Sequence, residues 1–359
     1  MRTPEQNHPV VDLPITDVAF GGKGVARHEG KVYFIPFVIP GERVRARVVR
    51  DKKKFAEAEL LEVLEPSPDR VEPPCPYFEQ CGGCAYQHLA YPAQLAIKQR
   101  QVEQTLRRVG RLEEVPMRPI VPSPAEYGYR NRIRVHVEGG CTGFFAHGSH
   151  NLVDIERCLI AAPAVNESLH DLRQSSVPVG DYTLSARGRG EFFEQTNTEV
   201  ALAMVEAVRA CVSEGRQLVV DAYCGAGFFA RRLVDKAERV VGIEENQFAV
   251  DYAKRTAGER EQYVAGDVAA HLGEVLAGAE SARTTVVLDP PAAGVAPRVC
   301  ELLLGHPPAE IVYVSCDPAT LARDLGLLCR STYRLESVTP LDMFPQTAEV
   351  EVVAHLVAR

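Results

Sequence analysis

The sequence contains no long apolar run and no leader-like segment at its start. None of its hydrophobic stretches approaches the roughly twenty residues that a membrane-spanning helix requires. The first residues, MRTPEQNHPVVDLP, are polar and lack the basic and then apolar pattern of a secretory signal. These absences argue against a membrane partner, and we interpret the chain as a cytoplasmic monomer.

An excess of positive charge is also missing. The chain has 40 Lys and Arg against 48 Asp and Glu, a formal net charge of −8, which argues against a protein coated all over by nucleic acid. The average hides a local reversal, because ten Lys or Arg and only three acids lie between Gly21 and Lys54. This basic segment is either a handle for nucleic acid or a solvated face.

The length of 359 residues and the 46% hydrophobic content predict a globular protein of about two or three domains. Residues 1–65 consist of short alternating strands broken by glycine and proline, a pattern typical of a small β-barrel of the oligonucleotide-binding kind. In its segment RVRARVV, alternation places Arg43, Arg45 and Arg47 on one face.

The remaining chain divides into a small β-rich central domain and an α/β domain. We assign residues 66–92 and 122–192 to the central domain, and residues 93–121 and 193–359 to the α/β domain, with PAQLAIKQRQVEQTLRRVG as a helix. After Phe193, apolar strands alternate with helical segments: LVVDAY, RVVGIEE, QYVAGD, TTVVLDPP, IVYVSCDP and VEVVAHLVA. This alternation predicts parallel βαβ units in a doubly wound sheet.

The stretch LVVDAYCGAG predicts a cofactor site where the first of these strands turns into a helix. Its glycines, Gly225 and Gly227, allow a ligand to approach the backbone, and Glu244 ends the next strand at the spacing of an acid that binds ribose. The loop lacks the full GxGxxG of a dinucleotide site, and two further strands end in Asp267 and Asp289. Carboxylates suit a sulfonium better than a phosphate, so the pattern favours S-adenosylmethionine (SAM) and methyl transfer.

The thiol of Cys316 follows a buried strand, where open α/β proteins place their chemistry. It is either a small packing residue or a nucleophile that adds to a pyrimidine ring and so activates carbon 5 for methylation. The second reading needs a base, and an acid in an apolar strand is costly unless it is functional or paired. Of Glu349 and Glu351, which we expect on one face of the last strand, we favour Glu351 as the base. Cys224, inside the glycine loop, is the rival nucleophile, but we interpret it as packing.

Ten cysteines in a reducing compartment are better explained by metal or catalysis than by disulfides. Three of them, Cys75, Cys81 and Cys84, lie within CPYFEQCGGC. Four-thiolate sites hold either zinc or an iron–sulfur cluster, and the spacing alone leaves both open.

Stretches along nearly the whole chain match one family in the right order: AFGGKGVAR, IPGERVRARV, CPYFEQCGGCAYQHLAYPAQLAIKQRQV, YRNRIR, GSHNLVDIERC, FEQTN, DAYCGAG, DPPAAG, SCDPATLARDL and DMFPQTAEVEVV. The sequence resembles the RNA uracil-5 methyltransferases, in particular the ribosomal RNA subtype with an iron–sulfur cluster. The resemblance implies a class I, Rossmann-like SAM-dependent methyltransferase domain of α/β class. It also implies an OB-like N-terminal TRAM barrel and a central iron–sulfur domain.

The resemblance also implies roles for individual residues. Cys316 would be the nucleophile and Glu351 the base, and six residues would line the cofactor site: Gln195, Tyr223, Phe228, Glu244, Asp267 and Asp289. Cys75, Cys81, Cys84 and Cys158 would hold a [4Fe-4S] cluster. The expected partner is RNA, in particular 23S ribosomal RNA, gripped by the barrel and by the YGYRNRIR region.

Two departures and two alternatives accompany this reading. The segment between Cys158 and Phe193 is shorter than is usual in the family, which leaves the RNA target open, and Gln346 stands where the family commonly has histidine. An RNA cytosine-5 methyltransferase would use similar chemistry, although DPPAAG lacks the second cysteine of those enzymes. A non-catalytic RNA-binding assembly factor would keep the fold and lose the chemistry.

Overall fold

The structure is a computed structural model that describes residues 9–186 and 195–359. The chain separates into two compact units. Unit 1 comprises Met1–Ile97, Ala125–Gly188 and Phe344–Ala348, and unit 2 comprises Lys98–Pro124, Arg189–Met343 and Glu349–Arg359. The barrel and the cysteine-rich segment therefore share unit 1. The three-domain division stays a prediction, and its boundary between residues 192 and 193 lies outside the described residues.

Unit 1 begins with a closed five-stranded barrel, as predicted. Its strands are β1 (Val10–Val18), β2 (Gly24–His28), β3 (Lys31–Ile35), β4 (Arg43–Asp51) and β5 (Phe55–Glu65), in the order β1-β2-β3-β5-β4. Alternate side chains fill the barrel, among them Leu13, Ile35, Val44 and Ala56, each with no exposed surface. The period-two pattern of the sequence thus becomes one buried and one solvated face.

The rest of unit 1 contains a second, open sheet. Helix α1 (Tyr91–Arg108) begins in unit 1, and its residues from Lys98 onward belong to unit 2. The chain then forms β6 (Arg132–Glu138), β7 (Cys141–Phe145), β8 (Leu152–Asp154), α2 (Pro163–Gln174) and β9 (Gly180–Ser185) in unit 1. The sheet order is β8-β7-β6-β9. Apolar residues of β6, including Ile133 and Val135, pack against Val165 and Leu169 of α2.

A segment close to the end of the chain completes unit 1. Gln346 adopts a left-handed backbone with φ of 69°, and its carbonyl oxygen accepts hydrogen bonds from the amides of Ala85 and Tyr86, both at 3.0 Å. The side-chain oxygen of Gln346 accepts from Gln94 Nε2 at 3.0 Å, and the backbone amide of Gln346 donates to Gln94 Oε1 at 3.1 Å. The glutamine that departs from the family pattern therefore has a matching amide partner.

Unit 2 alternates strands with helices, as the sequence predicts. Its elements are α3 (Thr198–Cys211), β10 (Arg216–Ala222), β11 (Ala237–Glu244), α4 (Gln247–Arg255), β12 (Glu261–Ala265), α5 (Val268–Ala277), β13 (Thr284–Leu288), α6 (Pro297–Gly305), β14 (Glu310–Ser315), α7 (Pro318–Leu328), β15 (Tyr333–Leu341) and β16 (Glu351–Ala358). They form a seven-stranded sheet in the order β12-β11-β10-β13-β14-β16-β15. The first five strands pair in parallel.

The last two strands of the sheet are not both parallel to the other five. Strand β16 runs antiparallel to both β14 and β15, because a short loop without a crossover helix joins β15 to β16 and such a loop allows only antiparallel pairing. The expectation that Glu349 shares a strand face with Glu351 is wrong, since β16 begins at Glu351 and Glu349 lies exposed before it. Within the described residues, no helix is long and apolar enough to cross a membrane.

Candidate active site

The candidate site of unit 2 lies at the carboxyl ends of its parallel strands. The order of the sheet reverses at β10, which has β11 on one side and β13 on the other. A reversal of this kind opens a crevice where open α/β sheets bind their ligands. The amide of Asp289 donates to the carbonyl of Ala222 at 3.3 Å, which ties the end of β13 to the end of β10.

The glycine loop after β10 has no room for a larger residue at Gly227. Gly227 has a φ of 85°, and a Cβ there would lie 2.5 Å from the Tyr263 hydroxyl. A Cβ on Gly242, in the neighbouring strand, would lie 2.8 Å from the Cys224 sulfur. Cys224 is only 4% exposed, so the structure places it as a packing residue of this loop, in agreement with the sequence-based interpretation.

Glu244 connects the glycine loop to the end of β11. One carboxylate oxygen accepts from the amide of Gly225 at 2.9 Å, and the other accepts from the amide of Asn246 at 2.8 Å. Each oxygen retains a second lone pair for a ribose hydroxyl. The residue predicted to bind the cofactor is therefore held in place by the loop that it serves.

The other predicted cofactor residues lie on several elements. Asp267 is exposed and caps α5 by accepting from the amide of Ala270 at 3.1 Å, and its charge acts on the hydroxyl of Tyr223. Phe228 is half-buried, under the guanidinium of Arg232. Gln195 is half-buried and comes two residues before Asn197, the cap of α3, so its role at the cofactor stays a prediction.

Cys316 and Glu351 come together at the ends of adjacent strands. In the antiparallel pair of β14 and β16, Ser315 is the partner of Val352, and continuing this register by one residue sets Cys316 opposite Glu351. Cys316 is exposed, whereas Glu351 is 4% exposed. The next residue, Asp317, caps α7 by accepting from the amides of Ala319 and Thr320, which fixes the turn on which the thiol lies.

Two carboxyl groups of the site, those of Glu351 and Asp289, are held towards their neutral forms. Burial raises the pKa of Glu351 well above its ordinary value, and the charges of Asp289 and Glu349 raise it further. Desolvation raises the pKa of Asp289 to about 7, although the residue as a whole is partly exposed. The carboxyl group itself is the desolvated part of this residue, and its own surroundings determine its pKa.

The same surroundings keep Cys316 in its thiol form. Desolvation, followed by the charges of Glu351 and Asp289, raises its pKa to about 11. Neighbouring negative charge disfavours a thiolate, whereas a positive charge beside it would favour one. The arrangement of one thiol and two carboxyl groups is thus matched to a cationic ligand.

Asp221 belongs to the site, although the sequence analysis assigns it no role. Asp221 has no exposed surface, and its Oδ2 accepts from the amide of Ala230 at 2.7 Å. Its other oxygen, Oδ1, has no partner within the described residues. Burial raises its pKa to about 8. An acid inside the apolar run LVVDA is the signal that could have identified it.

Four of the five cysteines of unit 1 form a separate group. Cys75, Cys81, Cys84 and Cys158 are all partly buried and unpaired. Burial is the main cause that raises the pKa of Cys84 to about 12, and the other three thiols raise it further, so the four share one neighbourhood. No three His, Cys, Asp or Glu side chains of residues 9–186 and 195–359 are placed to hold a metal ion. The donor set fits an iron–sulfur cluster in kind, and the cluster itself stays a prediction.

The barrel presents Arg43, Arg45 and Arg47 outward as predicted, but acids cover them. The N–O distances lie between 2.8 and 3.3 Å for Arg43 with Glu65, Arg45 with Asp12 and Glu62, and Arg47 with Glu59. The exposed lysines of the β4–β5 turn, Lys52, Lys53 and Lys54, lie outside these pairs. The free positive charge of the barrel is therefore smaller than its basic sequence indicates.

Two family models match the chain. One is described as a TRAM domain and covers residues 6–61, and the other is described as tRNA (Uracil-5-)-methyltransferase and covers residues 276–359. The first coincides with the barrel, and the second contains Asp289, Cys316 and Glu351.

Curated relatives and solved structures extend the match to the whole chain. A protein of Nitratidesulfovibrio vulgaris described as an uncharacterized RNA methyltransferase is 33% identical, over 98% of this chain and 96% of its own length. One of Bdellovibrio bacteriovorus with the same description is 34% identical, over 96% and 94%. The crystal structure of a Pyrococcus abyssi tRNA (uracil-54, C5)-methyltransferase with S-adenosyl-L-homocysteine matches with a TM-score of 0.72 and 25% identity, over 97% of this chain and 100% of that one.

Proposed function

The chain belongs to the RNA (uracil-5-)-methyltransferases, and from that premise we propose that it methylates carbon 5 of a uridine in 23S ribosomal RNA through a covalent bond to Cys316. The enzyme depends on SAM. The observation that carries the covalent step is the position of the exposed Cys316 opposite the buried Glu351 at the ends of β14 and β16.

In the proposed reaction, Cys316 opens the pyrimidine to methylation. Its thiol proton passes to water, and the thiolate forms a bond to carbon 6 while the electrons of the C5–C6 double bond move to the C4 oxygen. SAM supplies the methyl group as an electrophile for carbon 5. Glu351 then takes the carbon 5 proton, the double bond forms again, and the thiolate of Cys316 leaves.

The burial of Glu351 suits this order of events. A carboxyl group with a raised pKa is a stronger base near neutral pH than an ordinary glutamate. A sulfonium beside the site favours the carboxylate form, and its charge is lost when the methyl group is transferred. Glu351 therefore becomes a stronger base in the step in which it removes the proton.

The roles are tested with two variants and one control. Cys316→Ala should abolish methyl transfer, and Glu351→Gln should accumulate a covalent protein–RNA adduct visible as a shifted band on a denaturing gel. Glu349→Gln removes a charge two residues away from the base, at an exposed position, and should retain turnover. Full turnover by either of the first two variants would contradict the assignment.

The target is tested by nucleoside analysis. The ribosomal target follows from the resemblance of the cysteine motif, whereas the likeness to the Pyrococcus abyssi enzyme favours transfer RNA as a second candidate. Ribosomal RNA fragments and transfer RNA transcripts are incubated with labelled SAM, digested and separated. Label in 5-methyluridine of transfer RNA alone would overturn the ribosomal target, and label in 5-methylcytidine would overturn uracil as the base.

We further propose that Cys75, Cys81, Cys84 and Cys158 of unit 1 hold a [4Fe-4S] cluster. Support comes from the four thiols that act on one another's pKa. Protein purified without oxygen should contain about four iron and four sulfide per chain, and Cys84→Ser should lower both. Zinc without sulfide would contradict the cluster. Iron and sulfide analysis reads the site independently of methylation.

A further inference from the structure

The loop between β13 and α6, residues 289–296, exposes part of its side chains to solvent, and hydrogen bonds from helix α7 hold its backbone. It begins with Asp289, and the side chains of Pro291, Ala292 and Ala293 are exposed. A hydrogen bond of 2.8 Å from the amide of Gly294 to the carbonyl of Pro291 closes its turn. The loop therefore offers a small apolar edge beside the strand end that carries Cys316.

Helix α7 fixes this loop through its backbone. Thr320 Oγ1 donates to the carbonyl of Ala292 at 3.0 Å, and Arg323 Nη2 donates to the carbonyl of Ala293 at 3.0 Å. The amide of Val295 donates to Asp324 Oδ2 at 3.2 Å. Three residues of one helix thus satisfy successive polar groups of the loop.

A buried pair, Tyr313 and Asp324, lies at the centre of these contacts. Tyr313, on β14, has no exposed surface, and Asp324 is 1% exposed. The Tyr313 hydroxyl donates to Asp324 Oδ2 at 2.8 Å and also accepts from the amide of Val295 at 3.2 Å. Arg323 Nε donates to Asp324 Oδ1 at 2.8 Å, so the buried carboxylate has a cationic partner.

The fit of the loop against α7 leaves no space for adjustment at Gly294. Its φ is 77°, and a Cβ there would lie 2.6 Å from Asp324 Oδ2 and 2.5 Å from Arg323 Nη2. The backbone approaches the helix as closely as glycine permits.

We infer that Tyr313 and Asp324 are positioning residues for methyl transfer, which hold the loop of residues 289–296 in register with Cys316 and so place the target uridine. The inference rests on the proposed function and goes beyond it, because neither side chain belongs to the nucleophile, the base or the cofactor residues.

The physical reason for this positioning role is that one helix, α7, fixes the position both of Cys316 and of the loop of residues 289–296. Helix α7 starts two residues after Cys316 and bonds the loop through its later turns. The beginning of the loop is held separately, by the bond from Asp289 to β10. Loss of the Tyr313–Asp324 contact would therefore shift the exposed edge of the loop relative to the thiol and leave the cofactor residues in place.

The test compares two tyrosines with the same burial. Tyr313→Phe removes the hydroxyl beside the loop. Tyr333→Phe is the matched control, because Tyr333 also has no exposed surface and its hydroxyl donates to the carbonyl of Leu303 at 3.0 Å, on other elements. Asp324→Asn removes the charge of the pair, and the double variant Tyr313→Phe/Asp324→Asn tests whether the two residues act together.

Five quantities are measured for each variant: kcat and KM with RNA, the rate of adduct formation in the Glu351→Gln background, the affinity for S-adenosylhomocysteine, and Tm. We expect kcat and adduct formation to fall about fivefold in Tyr313→Phe, the value of one net hydrogen bond. In Asp324→Asn they should fall about a hundredfold, as for a reacting group displaced by about 1 Å. The double variant should fall no further than Asp324→Asn. Affinity for S-adenosylhomocysteine should stay unchanged.

Two outcomes would overturn the positioning role. One is equal turnover of the Tyr313→Phe and Tyr333→Phe variants. The other is a loss of S-adenosylhomocysteine affinity that parallels the loss of Tm, which would show that Tyr313 and Asp324 only stabilise the fold. A wild-type protein that forms no 5-methyluridine on any RNA would overturn the proposed function itself, so the two failures are distinguishable.

Discussion

The thiol of Cys316 should react slowly in the free enzyme, and a cationic ligand should accelerate it. Its pKa is raised to about 11 by desolvation and by Glu351 and Asp289. At pH 8 an ordinary cysteine, with a pKa of about 8.5, is about one quarter thiolate. A thiol with the raised pKa is thiolate in only about one molecule in a thousand at that pH.

The magnitude follows from two opposing effects. The thiolate fraction falls about 240-fold, while the nucleophilicity of each thiolate rises about 10- to 18-fold over the same pKa interval. Reaction with a neutral aromatic disulfide such as aldrithiol should therefore be about 20-fold slower than with a model thiol at pH 8. Cys316 is exposed, and solvent screening of the carboxylates makes this the upper end of the effect.

The assay compares two ligands that differ in one charge. SAM carries a sulfonium and S-adenosylhomocysteine a neutral thioether. Modification of the Cys316 peptide is followed by mass spectrometry with each ligand and with none, and Cys316→Ser identifies the peptide signal. For each unit by which SAM lowers the pKa of the Cys316 thiol, the rate of its reaction with the disulfide should rise about three- to fourfold at pH 8. Equal rates with SAM and S-adenosylhomocysteine, or a reactivity midpoint below pH 9, would refute the reasoning.

Three further predictions concern the rest of the molecule. The pKa of Asp221 is raised to about 8 in the folded state. The neutral carboxyl group therefore stabilises the fold fully below about pH 4, and this stability is lost as the pH rises through 8, by up to about 1.4 kcal/mol per pH unit. Asp221→Asn should flatten the fall in Tm over this range. Lys98→Met leaves the buried carboxylate of Asp342 without the ammonium that lies 2.5 Å away, which should cost about 3–5 kcal/mol in urea unfolding, and adding Asp342→Leu should recover most of it. Glu59→Gln frees Arg47 and should tighten RNA binding at low salt, measured by filter binding.

Each of these predictions has a contrary result. An unchanged pH profile of Tm in Asp221→Asn would show that this carboxyl group titrates alike in the folded and unfolded chain. A double variant of Lys98 and Asp342 that is no more stable than Lys98→Met would show that packing, not charge, is lost. Equal RNA affinity and equal salt dependence for Glu59→Gln would show that Arg47 does not face the RNA.

The sequence predicts most of the fold because its elements have strong local patterns. Alternation in RVRARVV specifies the barrel strand and its outward arginines, and apolar runs that end in acids specify the strand ends of unit 2. The direction of β16 is not a local property, since it depends on the strand beside it and on the loop that joins them. That is why the alternation of strands and helices does not predict the antiparallel pairing of β16, and why Glu349 was wrongly placed on the last strand.

The chemistry of the site is predictable in part. The residue types and their order along the chain point to Cys316 and Glu351, and the register of β14 and β16 brings them opposite each other. Composition overestimated the free charge of the barrel, because it counts arginines on β4 without the acids that β5 sets beside them. The Tyr313–Asp324 contact has no signature in sequence, since only the packing of α7 on the loop brings these two residues together.

The position of Gln346 near the end of the chain determines when some contacts of unit 1 can form during synthesis. The chain is synthesised from its amino end. The amides of Ala85 and Tyr86 therefore cannot bond the carbonyl of Gln346 until nearly all of the polypeptide has left the ribosome. The same late segment leads directly into β16. A chain cut short before this segment would lack Glu351 and would also lack the carbonyl that bonds Ala85 and Tyr86 in unit 1.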